Sequence, residues 1–239
     1  MKKLLVAVIA AAAFCGAPGF AADMPVKAPP LAAAAAFDWS GTYIGGHIGY
    51  QWDRISSVFA SGVALPIPTV DSNTGVGGFQ IGAQKQWGSL VVGIEAGLTD
   101  PFSHPLHPAV FPTSTANTED ATMKDELLWV GGRAGWAMGN WMPYITGGWA
   151  TAKFTWSHFL LGTNDVNGES RNSGAYIGGG LDAAIAPNWI FGVEYRHYDF
   201  KSKLAPAFTP AGVPFPPDDE LVHPKIDTVL VRLSYKFGG

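Results

Sequence analysis

Glu95, Arg133, Asp182, Glu194, Arg196 and Arg232 are the residues best placed to do chemistry in this 239-residue chain, because an extended backbone would turn all six to one side. Paired carboxylates can serve as acid and base, but a general acid must keep its proton. Three arginines in the same narrow space would hold the three acids ionised. The set therefore reads as a mutually compensating interior charge network, since buried charges persist only when paired and hydrogen-bonded. A polar path for ions is the functional alternative. The histidines offer less. His104, His107 and His223 fall in expected external loops, His158 just past a strand, and His47 on an inward face. Their spacing is not a standard zinc pattern, so solvated loop histidines are expected. Ser157 and His158 form one nucleophile–base neighbour pair, but adjacent residues of a strand point to opposite faces. No catalytic residue, metal or cofactor is expected.

The elements that must hold these charges are strands. Thr42, Ile44, Gly46, Ile48, Tyr50 and Trp52 alternate with Tyr43, Gly45, His47, Gly49 and Gln51. Val229, Val231, Leu233, Tyr235 and Phe237 alternate with Thr228, Leu230, Arg232, Ser234 and Lys236. Such period-two patterning predicts about eight strands, at 41–53, 75–87, 89–98, 126–138, 142–156, 173–185, 189–200 and 225–237. The faces of the fifth, from Tyr144 to Trp156, are mixed, and its register stays open. Connections alternate long (54–74, 99–125, 157–172, 201–224) and short (Gly88, Gly139–Trp141, Ala186–Asn188). That rhythm predicts an all-β, eight-stranded antiparallel up-and-down transmembrane barrel, with short periplasmic turns and long extracellular loops. Its outer face would be apolar and its interior polar. Trp39, Trp52, Trp87, Trp136, Trp141, Trp156, Trp189 and Phe237 are expected as interface aromatics at the strand ends. A soluble lipid-carrying barrel would need the opposite faces.

The N-terminus reads as an export signal. Met1, Lys2 and Lys3 precede an apolar run from Leu4 to Phe14, too short for a spanning helix of about 20 residues. Gly19 and Ala21 favour a cut after Ala21, with Ala22 the next choice, giving a signal peptide at 1–21, a Pro/Ala-rich periplasmic lead-in at 22–36 and a barrel at 37–239. Cys15 leaves with the signal, so the mature chain has no disulfide to stabilise it. The formal charge of −4 becomes more negative by two without Lys2 and Lys3, and no basic cluster remains. Nucleic acid is therefore not an expected partner.

The stretches ADMPVKAPP, DWSGTYIGGHIGYQW, PYITGGWA, GVEYRHYDF and VLVRLSYKF, in this order, resemble the small outer-membrane immunogenic proteins of α-proteobacteria, often called a porin family. The resemblance runs from about Ala22 to Phe237. It implies an OmpA-type barrel, an abundant surface antigen that stabilises the envelope, and in some members haemin binding. It also implies a last strand that engages the barrel-assembly machinery, although Gly238 and Gly239 here follow the closing aromatic. The expected role is a structural, surface-exposed outer-membrane barrel in contact with lipid, lipopolysaccharide and host surface molecules. A narrow porin and a haem binder using His104, His107 and His223 are the alternatives.

Overall fold

The computed structural model describes residues 37–238 except 63–66, 104–108, 112–113, 124–125, 161–162 and 217–218. The segments expected as signal (1–21) and lead-in (22–36), and His104 and His107, lie outside the described residues.

Twelve strands are described. They are β1 (Gly41–Phe59), β2 (Val70–Trp87), β3 (Leu90–Pro101), β4 (Ala109–Phe111), β5 (Ser114–Met123), β6 (Leu127–Trp136), β7 (Trp141–Leu160), β8 (Thr163–Ala186), β9 (Trp189–Phe200), β10 (Lys203–Ala205), β11 (Ala207–Phe208) and β12 (Glu220–Phe237). Antiparallel pairing runs β1–β2–β3–β6–β7–β8–β9–β12 and returns to β1, where Thr42 faces Phe237. The sheet is thus an eight-stave antiparallel up-and-down ring without free edges. β5 continues the fourth stave above β6, pairing with β7 from Met123–Phe154 to Asn117–Leu160. The short turns sit at one rim, where Gly88 and Gly139 adopt the left-handed backbone that tight hairpins require.

The long connections are shorter than expected. β1 runs to Phe59 and β2 starts at Val70, while β7 and β8 form one long hairpin. The polarity of the faces explains why the sequence pattern hides this extension. Low on β1, Ile44 and Ile48 are exposed, while His47 and Gln51 are buried. Higher up, Ile55 is buried and Arg54 is exposed. The upper barrel encloses an apolar core that includes Ile55, Val70, Met123, Leu127, Phe154, Phe200 and Ile226. Below, lipid surrounds the strands, so apolar groups point out; above, water surrounds them, so apolar groups point in. The expectation of a polar interior throughout therefore needs correction: it describes only the membrane-level half.

Inward glycines make room for the large interior side chains of the neighbouring strand. Tyr43 lies opposite Gly82, His47 opposite Gly78, and Tyr144 opposite Gly180. A Cβ on Gly180 would stand 2.6 Å from the Tyr144 hydroxyl, and one on Gly82 would enter the Tyr43 ring. Gly82→Val is expected to destabilise the barrel by about 1–3 kcal/mol through overpacking. Outward Gly132, whose Cβ would meet nothing nearer than 3.7 Å, should accept valine with little change. Urea midpoints of the folded, fast-migrating gel band measure both.

An interior charge network as the candidate site

Each charge reaches the lumen through strand parity. β3 brings Glu95, β6 Arg133, β8 Asp182, β9 both Glu194 and Arg196, and β12 Arg232. All six are buried. Glu95 is the hub. It accepts from Arg196 Nη2 at 3.0 Å and from Arg232, lies 3.5 Å from Arg133, and accepts the Tyr43 hydroxyl at 2.5 Å. Glu194 accepts from Arg196, from Arg232 and from the Tyr144 hydroxyl at 2.6 Å. Asp182 accepts from Arg133 Nη2 at 2.5 Å. Three cations thus meet three anions inside the barrel; their ion pairs link β3, β6, β8, β9 and β12, and the Tyr43 and Tyr144 hydroxyls tie in β1 and β7.

Aromatic faces complete the packing. The Arg196 guanidinium lies 3.7 Å from the centre of the Trp129 ring, and that of Arg133 lies 3.9 Å from the Tyr144 ring. These are cation–π distances in a desolvated setting. Sequence reasoning missed Tyr43, Tyr144 and Trp129 as members of the network. The inward parity of Tyr43 was available as a signal, whereas Tyr144 lay in the segment of open register. Above the network, His47 bonds Gln80 at 2.6 Å and Thr99 at 2.9 Å, so both ring nitrogens are engaged within the barrel. His223 bonds Asp199 and Ser202, each at 3.0 Å. Ser157 and His158 lie next to each other on β7. Among the described residues, no group of His, Cys, Asp and Glu is arranged to hold a metal ion.

The aromatics divide. Trp52, Trp87, Trp136, Trp141, Trp189 and Phe237 are exposed on the outer face. Trp39 and Trp156 are not: they are 0% and 3% exposed, inside the barrel. Trp156 belongs to the upper core, where the outside is polar. Trp39 packs with Val91, Met142, Tyr144 and Ile190. Its indole donates to the Gly139 carbonyl at 3.2 Å, and its backbone is bound by Gln84 and Gln86. Here the chain folds back under the ring, so the residue closes the periplasmic mouth instead of joining the girdle. Beside it, Asp38 accepts from the Ser40 N–H at 2.8 Å, which holds its carboxyl below the usual range.

The family described as outer membrane protein beta-barrel domain matches residues 7–237. The chain belongs to this family. Like other outer-membrane β-barrels it resides in the outer membrane, with its exposed band of Ile, Val, Phe and Trp in lipid. It is 26% identical over 243 residues to the 25 kDa outer-membrane immunogenic protein of Brucella canis, covering 98% of each chain. A relative of the same description from Brucella ovis is 26% identical over 208 residues, 84% of this chain and 92% of that one. The crystal structure of the outer membrane protein OprG from Pseudomonas aeruginosa overlays with a TM-score of 0.51 at 10% identity, covering 85% of this chain and 99% of that one. That likeness concerns the outer-membrane barrel fold.

Proposed function

We propose that this outer-membrane β-barrel is a structural, non-conducting and non-enzymatic envelope protein that presents its extended hairpins at the cell surface. One observation carries the reading: the interior charges are bonded to one another across the lumen, with Glu95 at the centre of Arg133, Arg196 and Arg232. A conducting path would need charges left for passing ions, and an eight-stranded ring has an interior just wide enough for its own side chains. The apolar core above and Trp39 below add two further closures. The hairpins above the lipid band, with exposed Arg54, Asp71 and Asp199 and half-buried Lys225, offer a polar surface for lipopolysaccharide or host molecules. The engaged ring nitrogens of His223 favour surface contact over haem ligation.

Export rests on the signal segment cut after Ala21, and insertion on a last strand closing at Phe237. The permeability of the purified barrel tests the reading. Liposomes carrying it are expected to swell in small sugars no faster than empty ones. Swelling that scales inversely with solute size would favour the porin alternative.

A further inference from the structure

We infer that the hairpin from Ala207 to Phe215 is a membrane-docking tip, which enters the interfacial region of a second lipid bilayer approached from outside. Above the lipid band the upper barrel turns its apolar groups inward, and this segment does the opposite. Val213 is 57% exposed, Phe215 41% and Phe208 36%, with Pro210, Ala211 and Pro214 exposed beside them. Phe208 stands opposite Pro214, so these two share one face of the hairpin while Val213 and Phe215 share the other. Both faces are therefore apolar, and no charged residue occurs from Leu204 to Pro217. The Thr209 hydroxyl is turned to the hairpin itself, where it accepts the Val213 N–H at 3.2 Å. The root is anchored. Ala205 and Ala207 sit in the upper core, the Ala207 N–H donates to Asp219 at 2.8 Å, and Phe208 pairs with Asn167 of β8. Exposed apolar side chains held on a fixed support mark an interaction site.

The backbone favours lipid over a protein partner. A segment entering lipid must satisfy its own N–H groups, because the surroundings offer no acceptor. Pro206, Pro210, Pro214 and Pro216 have none to satisfy. The Thr209 N–H donates to the Val213 carbonyl at 2.9 Å, the Gly212 N–H to that of Thr209 at 2.8 Å, and the Phe215 N–H to that of Ala207 at 2.9 Å. Pro210 opens the turn and Gly212 closes it in the left-handed region, at φ 78°. A hairpin that docks on protein instead offers donors to its partner along with its side chains. The barrel's own bilayer lies too low to be the target. Ala175 on β8 is paired with lipid-level Trp149, and from Ala175 to Asn167 the strand climbs roughly 20 Å at a tilt near 40°. The tip rests on the surface-presenting role proposed above. A conducting barrel could still dock, so the two readings fail separately.

Vesicle flotation tests the tip. The folded barrel, held in nanodiscs, is mixed with separate phosphatidylcholine vesicles, and the protein that rises with them is measured. Wild type is expected to rise. Val213→Asp and Phe215→Ser change exposed side chains, so the fold survives, as faster migration before boiling should show. Each should lower partitioning into the vesicles about tenfold, because an inserted apolar group is lost. Val58→Asp makes the same kind of change at a 59% exposed valine of β1 and should leave partitioning as it is. Wild type left behind by the vesicles, association of nanodiscs only with one another, undiminished flotation of Val213→Asp, or an equal loss in Val58→Asp would each overturn the assignment.

Discussion

Glu95→Ala is expected to lower the stability of the folded barrel by about 3–5 kcal/mol, because it leaves buried guanidinium groups without their shared counter-charge. The carboxylate meets Arg133, Arg196 and Arg232 and also accepts the Tyr43 hydroxyl. Asp182, which is bonded to Arg133 alone among these arginines, should matter less. The urea midpoint of the unboiled gel band should therefore fall further for Glu95→Ala than for Asp182→Ala. The reverse order would mean that the network is not centred on Glu95. Replacing Arg133 and Asp182 together by leucine should cost less than the sum of the single changes, since removing both partners leaves neither charge stranded.

Trp39→Ala should cost a similar amount, about 3–5 kcal/mol, as a large-to-small change at a fully buried site. The indole fills the space between Val91, Met142, Tyr144 and Ile190 at the periplasmic mouth. Trp87→Ala, on the lipid-facing surface, leaves no internal cavity and should shift the midpoint less. Equal shifts for the two would return Trp39 to the interfacial girdle. The Lys236 ammonium ties this closure to the last strand. It donates to the Ser40 carbonyl at 3.1 Å and sits 5.0 Å from the centre of the Phe37 ring.

The membrane-level half of the barrel was legible because lipid enforces a simple rule. Ile44 and Ile48 face out and His47 faces in, and the same alternation brings Arg232 and Glu194 into the lumen. Above the lipid the rule inverts, so Arg54 out and Ile55 in look like loop when the membrane pattern is extended through them. The open register of the fifth segment has the same origin. Along β7, Tyr144 and Thr146 face a polar lumen, while Ala150, Ala152, Phe154 and Trp156 face the apolar core, so one inward face carries two chemistries. Tryptophan is ambiguous for a related reason: its apolar body and polar N–H suit both an interface and a packed interior. Trp39 shares the inward parity of Tyr43 and His47, so its burial could have been read from the alternation, whereas Trp156 lay in the segment of open register.

A lumen closed by its own charges is the central claim, and planar-bilayer recording tests it most directly. The refolded wild-type barrel, shown to be folded by its faster migration before boiling, should give conductance at the level of the bare bilayer in high salt. Reproducible unitary steps from the same preparation would mean that ions pass Glu95, Arg133, Arg196 and Arg232, and the closed-barrel reading would be wrong.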